Sequence, residues 1–268
     1  MSEKDVHPPS QNMTFNETLR LIGEFLEVAF NQILYLRNVY PADLFEQRKK
    51  FNVEVMASRH PVLTSYIGEV ISQSMEEVVK GLAKKLILAV QDNSVMPHRP
   101  REHFVFNLQY LVDPITTFEN EADRDIRPIA AYGSKADAEL HIRAFLIKLN
   151  SCNAHLGDPI KQGISIIAPQ PLHLTWTTFL ELNDTTKEPL SEHSKKNDRP
   201  PQWIPCDNPA VSRQEDQTDF PTTSLPAAAP SKRLIPLKSQ GLGMIQLQMM
   251  IIQHNEKNDH EQTVATPH

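Results

Sequence analysis

Between Phe25 and Ile67 the chain reads FLEVAFNQILYLRNVYPADLFEQRKKFNVEVMASRHPVLTSYI, and this block leaves few folds open. Leu19, Ile22, Leu26, Ala29, Ile33 and Leu36 recur at three- and four-residue steps, so they line one face of a helix. Phe25 and Phe30 widen that stripe, while Glu24, Glu27, Asn31 and Arg37 fall largely on the other side. Tyr40-Pro41 is expected to end the helix, because the residue before a proline is pushed out of the α region. A short basic hairpin follows, with Arg48-Lys49-Lys50 between Phe45 and Phe51. Pro61 then opens a second helix in the first turn, where its missing N–H costs nothing. The apolar positions of that helix are Ile67, Val70, Ile71, Met75, Val78 and Leu82, which read as core, whereas Tyr66 sits beside the stripe. No catalytic constellation lies in the block, so it points to a binding protein before an enzyme.

Further along, the pattern changes period. Leu86 to Val90 is a short apolar run of buried-strand type, and Phe104, Phe106, Leu108 and Tyr110 alternate with Val105, Asn107 and Gln109. Turn residues from Asp92 to Arg99 make the pair an antiparallel hairpin. Glu119 to Asp125 is an acidic loop, and Ser134 caps a third helix striped by Ala138, Ile142, Phe145, Leu146 and Leu149. Ile164, Ile166 and Ile167 open another strand. From about Asn183 to Pro230 the chain is rich in Pro, Ser, Thr, Asp and Lys, and nine of its 21 prolines lie between Pro189 and Pro236. Read alone, this is a disordered linker with only Trp203, Ile204 and Phe220 to bury. Order returns at Arg233, and Ile245, Leu247, Met249 and Ile251 alternate with Gln246, Gln248, Met250 and Ile252 as a good strand. Helices segregated to one face of a largely antiparallel sheet make an α+β domain.

The block FLEVA…ILYLR.VYP…F..RKK.NV.V…HP.L..YI strongly resembles the HORMA-domain accessory subunits of DNA polymerase zeta, relatives of the spindle-checkpoint HORMA protein. Three more segments match in order. HIRAFLIKLNSC (His141 to Cys152) resembles the family's central third helix, Pro201-Gln202-Trp203-Ile204 its belt stretch, and RLIPLK (Arg233 to Lys238) the entry to its C-terminal strands. The matches are collinear from about Leu19 to about Gln253. The resemblance implies a single HORMA domain over 12–253, with three helices on the sheet, between a disordered 1–11 and a disordered tail 254–268. Within it the core runs to about 170, and a mobile C-terminal safety belt occupies about 171–253, interrupted by a disordered insertion at about 183–230. In such a fold the C-terminal segment pairs at different edges of the sheet and closes over a captured peptide. Main-chain bonds at a sheet edge and side-chain pockets then hold the ligand, and release waits on belt opening.

Function carries over residue by residue. Tyr66 falls on the family's tyrosine that packs on prolines of the bound catalytic-subunit peptide, and Trp203 on the belt tryptophan of the same pocket. Flat rings suit a proline-rich ligand; the plainer reading of Trp203 is an anchor that tethers its loop. Leu234 and Gln248 match the surface for a second partner, the deoxycytidyl-transferase scaffold of translesion synthesis. The tyrosine expected two residues after that glutamine is Met250, which implies an interface weaker or rebuilt around a pliable side chain. Arg143 and Ala154 match the HORMA–HORMA dimer interface, but two accompanying charges are Asn38 and Gln47 here. Their loss counts against the same homodimer and leaves pairing with another HORMA protein open. The resemblance further implies a nuclear and also cytoplasmic adaptor in error-prone translesion synthesis and the DNA damage response. It allows a HORMA-remodelling AAA+ ATPase and anaphase-promoting-complex activators as partners. The alternative is a spindle-checkpoint or meiotic-chromosome adaptor acting on the anaphase-promoting complex.

Other chemistry finds little material. The net charge of -6 argues against a protein that grips the phosphate backbone directly, so any DNA role is indirect. Cys152 and Cys206 do not make a disulfide scaffold, and a reducing, intracellular setting is the simpler reading. MSEKDVHPPSQN has no apolar signal region, and no run approaches a membrane span. His98 and His103 lack a third ligand, so no metal is expected. Cys152 and His155 could in principle form an activated thiol, tested by Cys152→Ser, but a core cysteine beside a surface histidine is the better reading. Eight glycines leave no phosphate cradle, and the acidic loop lacks calcium-loop spacing. No catalytic residue and no cofactor is expected.

Overall fold

The computed structural model describes residues 13–94, 99–111, 134–157, 173–183, 203, 232–243 and 245–254. Two compact units divide the chain, Met1–Asn183 with Lys232–Asn255 and Asp184–Ser231 with Glu256–His268. The first holds all the regular elements described below. Outside the described residues lie the expected strand at Ile164 to Ile167, the acidic loop, His98 and most of the Pro-rich segment.

Helix α1 (Phe15–Leu36) begins at a capping box, in which the Thr14 hydroxyl accepts from the Glu17 N–H and the Glu17 carboxylate accepts from the Thr14 N–H. Its apolar face is buried from Phe15 to Leu34. The helix does not run to Tyr40-Pro41 as expected. Arg37 caps it, and Asn38 turns away in the left-handed region at φ 51°, which asparagine tolerates. Two residues expected on its polar side are buried instead. Arg37 meets a buried carboxylate, and Asn31 faces the hairpin β1 (Phe45–Lys50) and β2 (Val53–Ser58). Asn31 Oδ1 accepts the Ser58 N–H at 2.9 Å and Gln32 Oε1 the Met56 N–H at 2.7 Å, so two amide side chains dock the edge of β2 on the helix. Arg48, Lys49 and Lys50 are exposed on β1, and Phe51 and Asn52 turn the hairpin at φ 50° and 59°.

Helix α2 (Pro61–Val79) has its proline in the first turn, as expected. Strands β3 (Ala83–Asp92) and β4 (Arg99–Tyr110) pair antiparallel, with Leu88 opposite Phe104 and Leu86 opposite Phe106. Helix α3 (Lys135–Asn150) starts at a Ser134–Asp137 capping box, and the short α4 (Asn153–Leu156) follows. Then come β5 (Leu174–Leu182), β6 (Lys232–Leu242) and β7 (Ile245–His254). The five strands form one antiparallel sheet in the order β5-β3-β4-β7-β6. Ile245, Leu247, Met249 and Ile251 of β7 are fully buried, as their alternation requires. They share the helix-facing side with Phe104 and Phe106, where Phe25, Phe30, Phe106 and Phe145 form an aromatic core with centroids 5.6 to 6.1 Å apart. The result is the expected α+β arrangement of three long helices and an antiparallel sheet.

Candidate functional site

The two outer strands of the sheet differ in how they meet solvent. Strand β6 carries Pro236, which has no N–H, with a bulge between Pro236 and Lys238, and Lys232 and Arg233 exposed at its start. These are the devices that stop an edge from recruiting another strand. Strand β5, LTWTTFLEL, has none of them. All nine residues are half-buried, and the one charge, Glu181, meets Lys84 at 3.1 Å and Lys85 at 3.0 Å.

The direction of the β5 backbone groups follows from its ends. The Asn93 N–H donates to the His173 carbonyl at 2.7 Å, and the Asn183 N–H donates to the Leu82 carbonyl at 2.8 Å. Odd-numbered residues of β5 therefore face β3, because backbone groups alternate along a strand. Leu174, Trp176, Thr178, Leu180 and Leu182 turn their N–H and C=O groups to the outer edge, where no described strand pairs with them.

Trp176 also turns its side chain to the helices. Its ring lies edge-on to Phe30 of α1 at 6.2 Å and to Tyr66 of α2 at 5.3 Å and 60°. The indole Nε1–H donates to the Tyr40 hydroxyl at 3.0 Å. Tyr66 is 51% exposed and Val62, one turn earlier, 70% exposed, so the rings border the outer edge of β5. Tyr66 was legible from the sequence; Tyr40, Trp176 and β5 itself were missed. The signal existed in the β-branched and aromatic run from Leu174 to Leu182, but it lies against the Pro-rich segment and alternates poorly. Trp203 belongs to the other unit and is half-buried, and its indole nitrogen has no hydrogen-bond partner.

The opposite side of the sheet gathers the second set of residues. Leu234 pairs with Ile252, so it shares a face with Met250 and Gln248. Leu234 is 59% exposed, Met250 is half-buried, and the Gln248 side-chain oxygen accepts from Asn107 Nδ2 at 3.2 Å. A third surface runs along α3, where Leu140 and Ile147, 56% and 54% exposed, stand either side of Arg143. Arg143 Nη2 reaches the Asn52 carbonyl at the hairpin turn, 3.4 Å away. Ala154 is exposed on α4 and follows Asn153, whose side chain meets Arg37 beside Asn38, and Gln47 is exposed on β1.

Cys152 is not set up for thiol chemistry. Cys152 is fully buried, and burial pushes its thiol up to about 12, so the reactive thiolate does not form near neutrality. His155 is exposed. His103 packs against His254 with ring centroids 4.6 Å apart, and burial first, then His254 and Lys232, lowers its pKa to about 4. Among the described residues no group of three or more His, Cys, Asp or Glu could hold a metal, and no helix is long and apolar enough to cross a membrane.

Comparison with known proteins agrees with this architecture. Residues 18–151 match the HORMA domain model. The chain is 25% identical over 248 residues to human "Mitotic spindle assembly checkpoint protein MAD2B", covering 92% of this chain and 96% of that protein. It is 30% identical over 199 residues to the "DNA polymerase zeta processivity subunit" of Schizosaccharomyces pombe, covering 74% and 79%. Among solved structures, a chain of the "Crystal Structure of Mitotic Checkpoint Complex" superposes with TM-score 0.57 at 16% identity, covering 89% of this chain and 99% of that one. "C. elegans HTP-2 bound to HTP-3 closure motif 1" gives 0.54 at 12% identity, covering 94% and 96%; these two support the fold alone. The chain belongs to the HORMA-domain family, as a noncatalytic homologue of MAD2B and the DNA polymerase zeta processivity subunits.

Proposed function

We propose that this HORMA adaptor captures an extended, proline-containing peptide of the catalytic subunit of DNA polymerase zeta on the open edge of β5. The edge of β5, which no described strand covers, carries the reading: five alternate residues turn their N–H and C=O groups outward, beside exposed Tyr66, on a sheet whose other edge is blocked by Pro236. The chain path supports it as well. Strands β5 and β6 run in the same direction at opposite edges of the sheet, so the end of β5 and the start of β6 lie at diagonally opposite corners of it. That diagonal is roughly 35 Å, or about a dozen extended residues. The connection 183–231 is several times longer, enough to close over a ligand, with Trp203 within it. The face of Leu234, Gln248 and Met250 is then free to take the deoxycytidyl-transferase scaffold, and the adaptor bridges the two in translesion synthesis in the nucleus.

Thr178→Pro tests this directly. Its N–H points outward, so the substitution removes an edge donor and leaves the β3 ladder intact. Co-purification of the catalytic subunit with the full-length chain is expected to be lost with Thr178→Pro and with Tyr66→Ala, Trp203→Ala. Full retention with Thr178→Pro would show that the edge is not the capture site. The α3 surface supports a separate contact with a second HORMA protein, because Leu140 and Ile147 leave apolar area open around Arg143. Leu140→Glu is expected to abolish such pairing in sedimentation experiments without loss of the catalytic subunit.

A further inference from the structure

We infer that Trp176, held by Tyr40, determines which residue the captured peptide places at the head of β5; this rests on the edge-capture reading above. Three observations carry it. First, Trp176 is the residue of β5 that offers the ligand both its outward backbone groups and a large ring. A strand added at this edge puts the side chain opposite Trp176 on the same, helix-facing side, against the indole and Tyr66.

Second, the indole cannot turn freely to suit any neighbour. Its N–H is committed to the Tyr40 hydroxyl at 3.0 Å, and Phe30 backs it at 6.2 Å. A ring fixed by a hydrogen bond and an edge contact recognises shape at little cost in lost rotamer freedom. All four aromatic residues belong to the unit that contains the sheet, so this platform is formed by α1, the turn after it, α2 and β5, independently of Trp203.

Third, the charge of the strand is already compensated. Glu181 lies at the far end of β5 and meets Lys84 and Lys85, and Leu174 to Leu180 carry no charge. The complementary occupant is an uncharged stacking residue, proline or a large aliphatic, in an extended segment. The strand direction discriminates between them. In a parallel addition the residue opposite Trp176 points its own N–H away from β5, so proline fits there; in an antiparallel one it must donate, and proline is excluded.

The test uses a phage library of random peptides selected on the full-length chain and, separately, on Trp176→Val. Wild-type protein is expected to enrich proline or a large aliphatic residue at one position. Trp176→Val should lose that enrichment and bind the wild-type-selected peptide about tenfold more weakly. Tyr40→Phe removes one hydroxyl from a folded protein and is expected to weaken the same peptide about threefold. Unchanged affinity and enrichment in both variants, with binding lost in Thr178→Pro, would overturn the role of Trp176 and leave edge capture standing. Retained binding in Thr178→Pro would overturn both.

Discussion

The guanidinium of Arg37 is bidentate on the Glu102 carboxylate, Nε to Oε2 at 2.6 Å and Nη2 to Oε1 at 2.5 Å, with both side chains almost wholly buried. The same arginine donates through Nη1 to Asn153 Oδ1 at 2.9 Å and to the Gly157 carbonyl at 3.0 Å. One side chain at the end of α1 thus ties the sheet to the turn after α3. Its fork satisfies four acceptors in a place that water does not reach.

Removing one member of that pair leaves a buried charge without its partner. Glu102→Leu is expected to destabilise the protein by about 3–5 kcal/mol in urea denaturation. The double variant Arg37→Met, Glu102→Leu should be more stable than Glu102→Leu alone, because it no longer buries an unpaired guanidinium. A double variant as unstable as the single would show that Asn153 and Gly157 depend on the arginine more than the ion pair does.

The buried His103–His254 contact makes stability depend on acid. His103 is neutral in the folded protein down to about 4, whereas the unfolded chain protonates it near 6.5. Above 6.5 both states are neutral at this site and its contribution is constant. As pH falls from 6.5 to about 4 only the unfolded chain gains the proton, so about 2–3 kcal/mol is lost over that window and little more below it. His103→Asn should flatten this part of the stability-against-pH curve, and an unchanged slope would remove His103 from the account.

Cys152 should be inert in the native state. In a Cys206→Ser background, a thiol reagent at pH 8 is expected to label Cys152 only under denaturing conditions. Fast labelling of the folded chain would contradict its burial and its raised pKa.

The hairpin β1–β2 depends on two amides of α1. Asn31→Ala and Gln32→Ala each remove the acceptor for a backbone N–H of β2, at about 1 kcal/mol apiece. Hydrogen exchange at Ser58 and Met56 is expected to accelerate selectively, with β3 and β4 unaffected.

Local order was plain in the sequence wherever one residue and its near neighbours suffice. The α1 stripe, Pro61 at the head of α2, Ser134 at the head of α3 and the alternation of β7 each encode an element through spacing alone. Strand β5 was not legible, because an edge strand half-exposed throughout has no clean apolar face to alternate. Arg37 looked like a surface residue on the wheel of α1, since spacing registers polarity and cannot register a carboxylate brought in from β4. The family signature singled out Tyr66, but that Trp176 stands beside it was not legible.

By itself, the sequence determined the helices and the alternating strands, because these depend on short-range periodicity and capping chemistry, while its gapped, collinear blocks carried the family resemblance. Only the tertiary structure decided which strands lie at the sheet edges, which ring stands beside Tyr66 and which charges are buried together. Those properties arise from residues far apart in the chain, and strand order, register and burial exist only once the sheet has closed on its helices.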